Sequence, residues 1–186
     1  PVLDEPQLRL LCHEGEFQPL LGELVLHKLD AVLSDRPAPP NPALKTTSQL
    51  LGTSALAWYA PAPWAAAARQ NFPLSLAQVP LLLPTEHAAV RARINHWLER
   101  EHIRPRIAGE FEDSALLSTF AASGMGVMPA PLLLQTHLHT TCALELVGTT
   151  PDVHEEFHLI YSARKVMHPL LVRLLAIAVD ESLLNQ

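Results

Sequence analysis

Apolar residues occur along this chain in two alternating patterns, a three-and-four spacing and short unbroken runs. Leu20, Leu21, Leu24 and Val25 fall at helical spacing within Phe17–Lys28 and predict a helix there. Within His87–His102, Val90, Ile94, Trp97 and Leu98 make one apolar stripe, with Arg91, Arg93, Arg100 and Glu101 off it. Ser114–Ser123 reads as a helix with Leu116, Leu117 and Phe120 turned inward, Asp113 as its N-cap and Gly124 as its stop. Pro131–Leu138 is a further helix, and Pro169–Leu184 a terminal one with Pro169 in its first turn. The unbroken runs predict strands at Leu8–Cys12, Leu29–Leu33, Ala55–Ala60, Leu81–Leu83, Ile107–Phe111, Met125–Met128 and Glu156–Tyr161. Leu8–Cys12, a turn at Gly15, the first helix and Leu29–Leu33 read as a βαβ unit, hence a parallel sheet. The proline-rich run 36–42 forces an extended loop. Strand and helix alternate throughout, so the fold class is α/β.

One stretch changes the picture only briefly. From Ser114 to Leu144 there is no Asp, Glu, Lys or Arg, which is long enough to span a membrane. Gly124, Gly126, Pro129 and Pro131 break it, and Thr136, His137, His139, Thr140 and Thr141 make its second half polar. It is read as helix, buried strand and helix, with no membrane partner. Asp4 and Glu5 stand where a signal peptide would be basic. The two cysteines, Cys12 and Cys142, offer no zinc or disulfide framework, and a reduced cytoplasmic protein is expected. The 186 residues are 48% hydrophobic and 17% charged, with a formal net charge of -6, enough apolar material for a core and the wrong sign for a phosphate-binding surface.

Four segments, taken in order, resemble the effector-binding domain of LysR-type transcriptional regulators. They are LHKLDAVLSDRP from Leu26 to Pro37, LLPTEHAAVRARINHWLE from Leu82 to Glu99, GEFEDSALLSTFAASGMGVMPAP from Gly109 to Pro131, and EFHLIYSARKVMHP from Glu156 to Pro169. Their order and spacing carry the resemblance, which spans nearly the whole chain. Within the family the likeness is to NhaR-like regulators, through His27 to Asp30, Ser34 and Asp35, Gly109 to Phe111, and Glu155 to His158. The resemblance implies two Rossmann-like lobes of the type II periplasmic-binding-protein kind, joined by two crossing strands, with a small effector between them. The first lobe would be 1–57 with 162–186, and the second 58–161. It also implies a homodimer or tetramer, with Phe17–Lys28 and Pro131–Leu138 as candidate contact surfaces. DNA would be bound only through an absent N-terminal domain. Family effector domains open with a strand and a helix before the segment that begins here. That first unit is expected to be missing, leaving Leu8–Cys12 unpaired on one side and effector binding weak.

No catalytic set assembles. Ser123-Gly124 lacks a nucleophile elbow, and Gly124-x-Gly126 precedes a strand, so it is not a dinucleotide loop. An enzyme is not expected, and no cofactor is implied. His137, His139 and Cys142 have metal-ligand chemistry in a short span, as do His154 and His158, but short histidine-bearing polar segments usually bind nothing, and no metal is assigned. The candidate effector residues are those on loops beyond the carboxyl ends of strands: Glu14, Gly15, Glu16 and Phe17; Ser34 and Asp35; Thr85, Glu86 and His87; Asp113 and Ser114. For Asp113 and Thr85 singly, helix capping is the simpler role. Glu14, Glu16, Asp35 and Glu86 are acidic and suit a cation, and the NhaR likeness implies a sodium-responsive activator of a sodium/proton antiporter gene, though solvated loops carry such residues too. An exported solute-binding protein of a transporter is the competing function class.

Overall fold

The computed structural model describes residues 8–41, 45–162 and 168–184, with 177–184 described by backbone alone. The expectations placed on Pro1–Pro6, on Pro42 and on 163–167 lie outside the described residues. The chain divides into two compact units, Pro1–Gly52 with Glu156–Gln186, and Thr53–Glu155. Two long strands, β2 (Thr46–Ala60) and β6 (Glu145–Ser162), each run from one unit into the other.

In the first unit, helix α1 (Phe17–Val25) precedes strand β1 (Ala31–Ser34), which pairs antiparallel with β6 through Ala31–Tyr161, Val32–Ile160, Leu33–Leu159 and Ser34–His158. Leu21 and Leu24 come from the helix and Val32 and Ile160 from the sheet, and together they form the buried cluster of this unit. Helix α6 (Pro169–Leu184) closes the chain over the residues the apolar pattern predicts.

The second unit is a three-layer sandwich. Its elements are α2 (Ala62–Arg69), β3 (Pro80–Pro84), α3 (Ala89–Arg100), β4 (Arg106–Phe111), α4 (Ser114–Ala122), β5 (Met128–Pro131) and α5 (Gln135–Cys142). Strands β3 and β4 are parallel, Leu81 makes a parallel bridge to Val127, and β5 pairs antiparallel with β2. Alternation along the strands sends Leu56, Trp58, Leu81 and Leu83 to one face, where Ile94, Trp97 and Leu98 of α3 cover them. Ala57, Tyr59, Leu82 and Met128 go to the other face, under Leu117 and Ala121 of α4 and Leu138 of α5. Burying each large apolar side chain is worth about 1.5–3 kcal/mol, so both faces contribute to stability.

Several expectations are corrected. Leu8–Cys12 is not a strand, and Leu10 and Leu11 are exposed. An apolar run becomes a strand only if its N–H and C=O groups find a neighbour, and β1 pairs with β6 instead. The opening βαβ unit is therefore absent among the described residues, and the parallel pairing lies in the second unit. Leu116 and Phe120 point outward, 53% and 43% exposed, because Leu117 and Ala121 form the inward face one step further round the helix. The predicted strand at Met125 starts at Met128, and the helix predicted from Pro131 is a 3-10 turn, Leu132–Leu134, followed by α5.

Candidate functional site

Helix α3 follows β3 onto one face of the second unit, and α4 follows the neighbouring parallel strand β4 onto the opposite face. Where adjacent strands send their helices to opposite faces, the chain diverges and leaves a crevice beyond the strands' carboxyl ends. Thr85, Glu86 and His87 leave β3 at that point, and Asp113 and Ser114 leave β4. The two loops touch, the Thr85 N–H donating to the Phe111 carbonyl at 3.0 Å. Asp113 is a true N-cap, its Oδ1 accepting from the Leu116 N–H at 2.6 Å. Glu86, His87 and Ser114 are exposed.

The centre of this arrangement is a residue that periodicity placed off the apolar stripe of α3. The Arg91 side chain is only 4% exposed. Its Nε donates to Asn95 Oδ1 at 2.9 Å, and one terminal amine donates to both the Pro84 carbonyl and Glu110 Oε1, each at 2.5 Å. The other terminal amine lies 3.1 Å from Glu86 Oε1. One guanidinium thus joins the ends of β3 and β4, the first turn of α3 and the loop between. Arginine suits this role because its planar fork keeps its charge when buried and aims several donors at once. The signal available in the sequence was Arg91 and Asn95 four apart on one helix, with Glu86 just ahead of it and Glu110 at a strand end.

In the first unit, α1 runs back against β1, so the start of the helix lies beside the end of the strand. Phe17 opens α1 and packs on the buried cluster, the Ser34–Asp35 turn follows β1, and Glu14, Gly15 and Glu16 lead exposed into the helix. Arg36, which sequence reasoning passed over, ties the group together. It stacks over the Phe17 ring at 5.6 Å and bonds to both Asp35 oxygens at 2.8 and 3.2 Å. The Asp35 hydrogen bond holds the guanidinium above its ordinary pKa, against the smaller opposing effect of burial. Opposite Ser34 sits His158, buried, with Nε2 2.8 Å from Glu156 Oε2 and Nδ1 without a hydrogen-bond partner among the described residues. A buried polar atom left unmatched costs about 1–3 kcal/mol.

The histidine motif does not close. His137 and His139 lie two apart on α5, and residues two apart on a helix point to different sides. Among the described residues no group of three or more His, Cys, Asp or Glu side chains could hold a metal ion. No described helix is long and apolar enough to cross a membrane. A groove of 360 Å³ on the outer side of α3, lined by Arg93, His96, Trp97 and Arg100, has its charges engaged: Arg100 bonds Asp152 at 2.7 Å and Arg93 bonds the His154 carbonyl.

The family model described as the LysR substrate binding domain matches residues 3–182. The chain belongs to this family. It is 27% identical over 173 residues to the transcriptional activator protein NhaR of Escherichia coli, an alignment covering 93% of the chain and 56% of that protein. It is 28% identical over 137 residues to the nitrogen assimilation regulatory protein nac of the same organism, covering 68% of the chain and 40% of that protein. The chain thus spans about half the length of the curated relatives it matches. Solved LysR-family folds are similar: the HypT regulatory domain from Salmonella typhimurium has a TM-score of 0.70 at 14% identity, covering 95% of this chain and 85% of that one. The cofactor-binding domain of the Cbl transcriptional regulator has a TM-score of 0.68 at 18% identity, covering 88% and 72%. The fold is that of LysR substrate-binding domains, of the type II periplasmic-binding kind. Family membership favours a regulator's effector-binding domain over an exported solute-binding protein.

Proposed function

We propose that this chain senses a small effector for a LysR-type transcriptional activator of the cytoplasm, acting by binding and not by catalysis. The contact residues assigned are Glu14, Gly15, Glu16 and Phe17 at the start of α1 and Ser34 and Asp35 after β1 in the first unit, and Thr85, Glu86 and His87 after β3 and Asp113 and Ser114 after β4 in the second. Operator binding would belong to a separate domain of the regulator, and self-association to this one. The observation that carries the site reading is the divergence of α3 and α4 from adjacent parallel strands, with a buried guanidinium bracing the ends. Sodium is the effector suggested by the NhaR likeness. Two of the four acidic loop residues, Asp35 and Glu86, are however ion-paired to Arg36 and Arg91. That pairing favours a small organic effector over a hard cation, which needs its oxygen ligands free. Calorimetry with sodium and potassium chloride at matched ionic strength separates the two. A sodium-specific heat that disappears in Asp35→Asn or Glu86→Gln establishes the cation, and equal traces leave the organic effector. A metabolite screen by thermal shift then tests the loops, since true effectors lose their shift when Thr85 or Ser114 is replaced by Val.

A further inference from the structure

Two carboxylates converge on one buried guanidinium at the ends of β3 and β4, and they are not held alike. Glu110 sits 2.5 Å from Arg91 and is 46% exposed, whereas Glu86 sits 3.1 Å away and is 68% exposed. Glu110 already neutralises the arginine, so Glu86 is the surplus anion. Asn95 adds little, its amide lying 3.5 Å from the same Glu86 oxygen. Nε and one terminal amine of Arg91 are committed to Asn95, Pro84 and Glu110, and the other terminal amine faces Glu86 on the loop after β3.

We infer that Glu86 is a built-in competitor occupying an anion subsite on Arg91, and that the effector carries a carboxylate which displaces it. The inference rests on the proposed site and names its ligand chemistry. A planar carboxylate matches the guanidinium edge that Glu86 now fills, and a charge-assisted bond there is stronger than a neutral one. The exchange is cheap on the Glu86 side, because an exposed carboxylate regains water when it swings out. It also gives the loop two positions, one tied to α3 and one released, so occupancy is reported by the chain between β3 and α3.

The test uses the whole chain, isotope-labelled, titrated with acetate, with acetamide as the uncharged isostere, while backbone amide shifts are followed. Glu86→Gln keeps the shape and removes the competing charge. It is expected to bind acetate about tenfold more tightly than wild type, with shifts at 84–91 and 110 and none from acetamide. Glu86→Gln with Arg91→Lys, which keeps a positive charge but loses the planar edge, is expected to fall back towards wild-type affinity. Equal acetate affinity in wild type and Glu86→Gln, with shifts still at 84–91, overturns the competitor alone. Acetate shifts confined to Ser34–Arg36 in every variant overturn the subsite on Arg91 and keep the loops as the site, whereas shifts at none of the proposed loops overturn the site reading itself. Acetamide acting as well as acetate overturns the carboxylate assignment.

Discussion

Arg91 shows what a single side chain can do that its place in a pattern does not reveal. The apolar stripe of α3 was legible, and Val90, Ile94, Trp97 and Leu98 are buried as predicted. Arg91 follows Val90 directly and falls off the stripe, because periodicity weighs hydrophobicity and cannot see a partner on another strand. Its burial is decided by Glu110 and the Pro84 carbonyl, which only the fold brings together. Replacing Arg91 by Met keeps the aliphatic stem but strands those acceptors. The expected cost is about 2–3 kcal/mol, below the range of about 3–5 kcal/mol for breaking a fully buried pair, because both carboxylates reach solvent. Urea unfolding of the variant against wild type measures it. Tyr59 is a second case. Its ring is fully buried, its hydroxyl has no hydrogen-bond partner among the described residues, and burial pushes its pKa up from 10.0 to about 12. The folded chain therefore holds the proton that the unfolded chain releases. This contribution is intact below pH 10, the unfolded value, and is lost as pH rises through about 12. Tyr59→Phe is expected to flatten the alkaline loss of stability over that window, read by thermal unfolding across pH.

Elements were the best-read level wherever a local rule settles them. Asp113 and Gly124 were named as cap and stop of α4. The structure gives Asp113 the capping bond, and Gly124 a φ of +96°, which suits a residue without Cβ. Elements that depend on distant pairing were read short. β2 begins at Thr46, nine residues ahead of the predicted start at Ala55, because its first part is polar and only partly buried. Leu8–Cys12 failed in the opposite direction, apolar enough for a strand but without a neighbour. α2 went unread because Pro61 and Pro63 look like breaks, although proline is accepted in a helix's first turn. Helix ends also yield a prediction. α5 terminates at Ala143, held in the left-handed region at φ 53°, with the Leu144 N–H returning to the Leu138 carbonyl at 3.1 Å. Such a stop normally uses glycine, and a Cβ there costs about 1–2 kcal/mol. Ala143→Gly is expected to stabilise the chain by about 0.5–1 kcal/mol after the added freedom of the unfolded chain is subtracted, measurable as a rise in Tm.

At the scale of the whole molecule, α/β alternation was legible because both periods are written in the chain. The Arg91 and Arg36 clusters were not, since each joins residues from separate elements. The outward turn of Leu116 and Phe120 bears on assembly. They lie one helical turn apart on α4, with Ile107 and Met125 also exposed in the same unit, and exposed apolar groups of this kind favour contact. The surfaces expected from the sequence expose Leu26 at the end of α1 and Leu133 ahead of α5. By light scattering the chain is expected to self-associate, and Leu116→Lys with Phe120→Lys to weaken that association more than Leu26→Lys does. Charge bears on the other partner. The chain has 13 Lys and Arg against 19 Asp and Glu, for a formal net charge of -6. Among the described residues, Arg36, Arg69, Arg91 and Arg100 are each paired with a carboxylate. DNA affinity grows with the number of phosphates neutralised, and a cation already paired to a carboxylate releases few counter-ions. The net negative charge and these ion pairs both disfavour phosphate binding, so the chain by itself is expected not to retard duplex DNA in a gel at about 0.15 M salt. Joining a basic helix-turn-helix domain is expected to restore retardation, because both the positive charge and the groove-reading helix would then come from outside this chain. Sequence-specific retardation by the 186 residues alone would require a phosphate-binding surface that their charge and ion pairs oppose, and would overturn the division of labour proposed for the regulator.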